Sequence, residues 1–335
     1  MILHLILNSL VVFLALALLV EVFLFAFRID QPRFRYVCRL FPILKIPFDL
    51  LTFGLYGESL FINFNPFSCQ TSLYEFIINL LPTHLILDLQ PSEHLIIPQY
   101  IAMCFPPFLL NFLTIGVIGI TATLITVKVF KFLSFRRSLN QVLIRAHPCS
   151  KQIANSSLRQ QLDKVHAFIL VSDEINIPLA AQERYILFPQ NLLIDLSQEE
   201  FEAIIAHELE HLRWKDPILK VFNTIIFALF WWIPSNWWIQ RMEWEQELAC
   251  DAEIRKYGID SYDLASALVK AVKKAKYIKC KLAPICLLNS NNRNHTDRLR
   301  KLLDNDCSTN KAPTLPHYAL GFGLCFLAFL SFWMC

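Results

Sequence analysis

The chain contains several long apolar segments, and their lengths suit membrane-spanning helices. Residues 2–27 are almost continuously apolar. A helix of that length, at ~1.5 Å per residue, exceeds a hydrocarbon core of about 30 Å. Residues 40–63, 107–127 and 313–335 predict three further spans. Residues 136–312 have an ordinary globular composition, so we expect a folded domain between the third and fourth spans.

The distribution of basic residues predicts the orientation of these spans. Five basic residues follow the first span, none lies between residues 46 and 127, and the other 26 lie between Lys128 and Lys311. Because basic loops stay in the cytoplasm, we expect the globular domain to be cytoplasmic. The chain is 55% hydrophobic and 18% charged, which fits a multi-pass membrane protein. Its net charge of +3 gives no reason to expect nucleic acid as a partner.

The globular domain begins with short strands and continues into an amphipathic helix. Residues 165–171 and 185–188 are rich in β-branched or aromatic side chains and predict strands. Ser197 and Glu200 have the spacing of a capping box, and apolar residues then recur at helical intervals. These patterns predict a helix over residues 198–213.

That helix carries two histidines separated by one turn. His207 and His211 lie on one face, at the spacing that lets two imidazoles share one tetrahedral zinc ion. Glu208 would lie beside the open coordination position, where a carboxylate can take a proton from metal-bound water. The alternative interpretation is a solvated polar helix face.

A second helix, predicted over residues 241–256, offers acidic candidates for a third ligand. Glu247 and Asp251 are four residues apart and share a face. Glu247 could then bind the metal while Asp251 accepts a hydrogen bond from a liganding histidine. For Glu243 and Glu245 we expect solvated helix charges.

The apolar segment at residues 218–240 separates the two motifs and constrains the topology. As a complete span it would place Glu247 and the two histidines on opposite sides of the membrane. We therefore expect a hairpin that enters the membrane and returns, with its turn at residues 234–236. Aromatic residues at the membrane interface would be typical of such a hairpin. Its tryptophans are Trp231, Trp232, Trp237 and Trp238.

Several of these motifs together resemble one family. The sequence HELEH at residues 207–211, the Asp-Pro pair at 216–217, the aromatic segment at 230–238 and the sequence ELACD at 247–251 resemble the BlaR/MecR family of membrane zinc metallopeptidases. The resemblance extends over residues 162–256. Sensor-transducers of that family continue into an extracellular penicillin-binding domain, whereas this sequence ends at Cys335, so we expect the peptidase module alone.

The resemblance implies an α-helical integral membrane protein with an α+β gluzincin domain. It implies that His207, His211 and Glu247 bind Zn²⁺, that Glu208 activates water and that Asp251 supports the ligands. The expected location is the bacterial inner membrane, with a protein or peptide substrate and the lipid bilayer as partners. A homodimer is left open.

A histidine and an arginine that precede a late helix in related membrane metallopeptidases have counterparts at His295 and Arg298. The resemblance implies that one of them stabilises the oxyanion, and the alternative is an ordinary surface pair. The functional interpretation is a zinc endopeptidase in regulatory proteolysis or signalling. Two alternatives remain: a non-catalytic zinc-stabilised scaffold and a general quality-control protease.

Overall fold

The computed structural model of the protein divides the chain into two compact units. The N-terminal unit comprises residues 1–127, 225–238 and 312–335, and the second unit comprises residues 128–224 and 239–311. Within the part of the chain that the structure describes, the fold is mostly helical with one small sheet. The described residues are 2–53, 107–182, 184–275 and 292–303.

Three helices form the described part of the N-terminal unit together with the segment at 225–238. Helix α1 covers Ile2–Ala26, which coincides with the first predicted span. Helix α2 covers Pro32–Phe53 and so begins before the predicted second span. Helix α3 covers Pro107–Arg145 without interruption, and the division between the units falls inside it. The rest of the predicted second span and the predicted span at 313–335 lie outside the described residues.

An ion pair explains why basic residues are tolerated inside α2. Arg39 is fully buried, and its Nε lies 2.8 Å from Oε1 of Glu21 while its Nη2 lies 3.2 Å from Oε2. A guanidinium and a carboxylate can share a buried site when they pair in this bidentate geometry. The pair therefore fixes α1 against α2 and satisfies the one acidic residue of α1.

Length and composition qualify one helix of the described chain as a membrane span. This helix is Ile115–Arg145 within α3, and a shorter apolar helix covers Val12–Ala26. Thr121 fits into the apolar part of α3 because its hydroxyl donates to the carbonyl of Val117 at 2.7 Å. The complete set of four spans stays a prediction.

The segment between the two sequence motifs forms two helices joined by a short turn. Helix α7 covers Asp216–Leu229 and helix α8 covers Ser235–Glu253. Three of the four tryptophans near the turn donate their indole N–H to the N-terminal helices, so these groups are satisfied by protein rather than by lipid headgroups. The pairs are Trp231 with the Thr121 hydroxyl at 3.2 Å, Trp232 with the Ser9 hydroxyl at 2.9 Å and Trp238 with the Arg39 carbonyl at 3.0 Å.

A four-stranded sheet opens the second unit. Its order is β1-β2-β4-β3, with β2 and β4 parallel and the other neighbours antiparallel. The predicted strand at 165–171 begins later than expected, because helix α4 runs to Val165 and ends with His166 in the left-handed conformation. The elements are β1 His147–Pro148, α4 Ser156–Val165, β2 Phe168–Ser172, β3 Leu179–Ala181 and β4 Tyr185–Pro189.

The predicted histidine helix is observed as α6, and it lies at the centre of the second unit. It spans Gln198–Arg213, and the predicted capping box is present. Almost every residue of α6 is buried, because the sheet and the next helices enclose it. The remaining elements are α5 Gln190–Leu193, a 3₁₀ turn at Ile254–Tyr257, α9 Ser261–Ala275 and α10 Asn292–Leu303.

Candidate metal centre

Two helices bring three candidate ligands together. His207 and His211 on α6 and Glu247 on α8 present ligand atoms that all lie within 4.8 Å of one another. The two Nε2 atoms are 3.1 Å apart, and the Glu247 carboxylate oxygens lie 3.4 Å and 3.7 Å from Nε2 of His207 and His211. Ligands at about 2.0–2.1 Å from a tetrahedral zinc would be about 3.3 Å apart. The separations therefore fit one tetrahedral ion.

Each histidine is oriented by a carboxylate at its other nitrogen. Nδ1 of His207 lies 2.9 Å from Oδ1 of Asp251, and Nδ1 of His211 lies 2.6 Å from Oδ2 of Asp216. A proton held on Nδ1 leaves the lone pair of Nε2 free for a metal. These contacts favour a proton on Nδ1 of each imidazole, which is the arrangement that metal binding through Nε2 requires.

Sequence reasoning placed Asp251 in this role but missed Asp216. Helix α6 ends at Arg213 with Trp214 as its C-cap, and Lys215 then adopts a left-handed backbone conformation with φ of 54°. This turn returns the chain toward α6, so that the first residue of α7 reaches the ring of His211. The sequence had singled out Asp216 only as part of the Asp-Pro pair that contributes to the family resemblance, without a role in the site.

Arg298 lies at the centre of the site rather than on the surface. Its Nε and Nη2 each donate to Asp251 at 2.6 Å, and its Nη1 lies 2.9 Å from Oε2 of Glu247. The residue is 9% exposed. These contacts give Arg298 the geometry of a group that orients two acids. His295 belongs to the same helix, but its side chain lies outside the described residues.

The charges of the site stabilise one another in the metal-free chain. Burial alone would raise the pKa of Glu247, but Arg298 and the two histidines hold it well below its ordinary value. The pKa of Asp251 is lowered against the same burial, chiefly by Arg298. Burial and Arg298 oppose protonation of His207, yet hydrogen bonds to Asp251 and Glu247 raise its pKa to about 9. Metal binding at Nε2 of His207 would therefore displace a proton.

Glu208 occupies the position on α6 that the motif predicts. At about 100° per residue, it lies about 100° around the helix from His207 and about 60° from His211. The residue is 9% exposed. It is therefore an enclosed carboxylate on the side of the helix next to the ligands.

The expectation for the other two acids of α8 was wrong for Glu245. Glu245 is 3% exposed rather than solvated, and Glu243 is half-buried. Burial raises the pKa of Glu243 above its ordinary value. The helical pattern alone did not reveal that α8 is enclosed on more than one face.

A buried thiol also lies close to the site. Sγ of Cys250 is 3.5 Å from Nδ1 of His211 and 4.0 Å from Oδ2 of Asp216. These three groups could form a second ligand set. However, the 2.6 Å between Nδ1 and Oδ2 is a hydrogen-bond distance and is too short for two ligands of one tetrahedral ion.

Two histidines from one helix and a carboxylate from another form a candidate site for one metal ion. A family model described as BlaR1 peptidase M56 matches residues 100–299, which are 200 of the 335 residues. The chain therefore belongs to the BlaR1 peptidase M56 family, as the sequence motifs indicated. Membership implies a membrane-associated metallopeptidase with a bound metal. No curated protein matches the chain.

Proposed function

We propose that this protein is an integral-membrane zinc endopeptidase that hydrolyses a protein substrate at the cytoplasmic side in regulatory proteolysis. The observation that carries the proposal is the convergence of His207, His211 and Glu247 within 4.8 Å. Two imidazoles and a carboxylate at tetrahedral separations are a donor set that suits zinc. These three residues would hold the ion.

A bound zinc ion would polarise the scissile carbonyl and lower the pKa of water toward ~7. The remaining chemistry belongs to the side chains around it. Glu208 accepts the proton of the attacking water and delivers it to the leaving amine. Asp216 and Asp251 fix the orientation of the two imidazole rings through Nδ1. Arg298 holds the carboxylates of Asp251 and Glu247 in place.

The location in a membrane is supported by exposed apolar side chains. On α1, Leu18 is 67% and Phe25 is 85% exposed, and on α3, Ile115 is 68% exposed. Several large apolar side chains that face outward on the same helices are typical of a surface in contact with lipid. The absence of basic residues between 46 and 127 supports the cytoplasmic side for the peptidase.

The sheet supports an extended peptide as substrate. Strand β3 is at the edge of the sheet, pairs with β4 on one side and contacts α6, the helix that carries both histidines. An edge strand offers backbone donors and acceptors to an added strand. A substrate segment bound there would be extended and would pair with a strand that contacts the helix carrying both histidines.

The test compares the full chain with a Glu208→Gln variant. We expect the variant to retain the wild-type metal content and to lose cleavage, because the proton acceptor is removed and the ligands remain. Proteomics on cells expressing each form would identify products that vanish in the variant. Glu199→Gln, an exposed acid in the first turn of the same helix, is the matched control. Persistent cleavage by Glu208→Gln, or purified wild type without metal, would overturn the proposal.

A further inference from the structure

Helix α6 carries several buried carboxylates, and the most deeply buried of them, Glu210, has no part in the mechanism. Glu210 is fully buried and receives Nη1 of Arg213 at 2.8 Å and Nζ of Lys256 at 2.7 Å. The hydroxyl of Tyr257 also donates to it. Burying an ionised carboxylate is costly by several kcal/mol unless it is paired and hydrogen-bonded, as it is here.

The partners of Glu210 come from two different segments. Arg213 belongs to α6 itself, whereas Lys256 and Tyr257 belong to the 3₁₀ turn that directly follows α8. Lys256 also pairs with Glu253 at 2.8 Å, so two acids and two bases balance in the cluster. The Glu210 cluster therefore connects α6 to the end of α8.

The turn that carries these partners is itself fixed. The amide of Asn155 donates to the carbonyl of Tyr257 at 2.8 Å. Gly258 then closes the turn with φ of 74°, a conformation that suits glycine. Lys256 and Tyr257 are thus held in place on the side of α6 that is away from Glu208.

The contacts of α6 with α8 include the candidate metal ligands, whereas the contacts of Glu210 with the 3₁₀ turn after α8 do not. Glu247 and Asp251 lie on α8 shortly before the turn. If the metal is removed, the ligands lose their common ion, but the contacts of Glu210 with Lys256 and Tyr257 do not depend on it. A site that keeps its shape without metal binds the metal at a smaller ordering cost.

We propose that Glu210 is a positioning residue that holds the end of α8 against α6 in the metal-free chain and so preorganises Glu247 and Asp251 for the metal. The inference rests on the proposed function, since it requires that the site bind a metal. Glu210 touches neither substrate nor metal. Its effect is exerted through the helix that supplies the third ligand.

The experiment titrates the metal-free full chain in detergent with Co²⁺ and records its visible absorption. We expect Glu210→Gln to raise the Co²⁺ dissociation constant by about tenfold, at the low end of the 10–100-fold loss on removing a supporting group of a metal site. We also expect an altered absorption per bound ion, because the coordination geometry changes. Loss of folded protein alone would change neither quantity.

Glu200→Gln is the matched control. Glu200 is also a buried acid on α6, but its partner Lys270, at 2.6 Å, lies on α9, which carries no ligand. This variant should keep the wild-type Co²⁺ affinity and spectrum. Equal losses in Glu200→Gln and Glu210→Gln would overturn the inference, because a buried acid paired with a helix that carries no ligand would then matter as much as Glu210.

The remaining outcomes separate the inference from the proposed function. Wild type that binds no Co²⁺ would contradict the proposed function itself. Wild-type binding with unchanged affinity in Glu210→Gln would overturn the inference alone. If Glu210→Gln does not fold, Tyr257→Phe removes one hydrogen bond of the cluster and keeps the ring. An unchanged Co²⁺ affinity in Tyr257→Phe would then overturn the inference about the Glu210 cluster.

Discussion

Asp216 offers a direct test of how the histidines are oriented. Its carboxylate is 2% exposed and lies 2.6 Å from Nδ1 of His211. Replacement by asparagine keeps an oxygen acceptor but removes the charge. A hydrogen bond to a charged group contributes about 1.5–3 kcal/mol and a neutral one about 0.5–1.5 kcal/mol, so the loss is about 1–1.5 kcal/mol.

A loss of that size corresponds to metal binding that is weaker by about five- to tenfold, since about 1.4 kcal/mol is one factor of ten. Asp216→Ala, which removes the acceptor altogether, should cost about 10–100-fold. Both expected losses of affinity depend on how well the remaining side chain at position 216 holds the proton on Nδ1 of His211. The Nε2 lone pair is available to the metal only while that proton stays in place.

The assay is competition for Zn²⁺ between the full chain and a chromophoric chelator at fixed pH. The control is Asp195→Asn, because the Asp195 side chain is 49% exposed and pairs with Lys274 away from the metal ligands. This control should bind zinc as wild type does. Equal zinc affinities for Asp216→Asn, Asp216→Ala and wild type would refute the reasoning, since His211 would then be oriented without this carboxylate.

Three further predictions concern the same site. Glu247→Ala should lose metal on purification, and an unchanged metal content would reject Glu247 as third ligand. Because the pKa of His207 is about 9 in the metal-free chain, metal displaces a proton below that pH. The dissociation constant should therefore fall about tenfold per pH unit up to about 9, and a flat profile measured by chelator competition would contradict this. Arg298→Lys keeps the charge but loses the planar fork that pairs with both oxygens of Asp251 while a third nitrogen reaches Glu247, so Co²⁺ affinity should fall several-fold. A lower kcat with unchanged Co²⁺ affinity would instead assign Arg298 to the oxyanion.

The sequence predicted best what depends on local patterns. The capping box at Ser197 and the helical recurrence of apolar residues defined α6, and the spacing of His207 and His211 follows from that helix. The need for a shared metal predicted that the chain would reverse before Glu247. In the structure the turn between α7 and α8 makes that reversal, while its entry into a membrane stays a prediction.

The parts that the sequence missed depend on tertiary structure. Asp216 reaches His211 because Lys215 adopts a left-handed conformation, which a lysine rarely does and no local pattern predicts. Glu245 is buried although its position on α8 predicted a solvated charge. Arg298 was suggested by resemblance alone, since its bonds to Asp251 depend on how α10 packs.

The contacts of Arg298 also set an order of events during synthesis. Arg298 is 87 residues beyond His211 in the chain. At about 5–20 residues per second, the ribosome needs roughly 4–17 s to make that stretch. Throughout this interval the nascent chain has both histidines but lacks the guanidinium that holds Asp251 and Glu247. The contacts around Asp251 and Glu247 are thus completed only after residue 298 has been made.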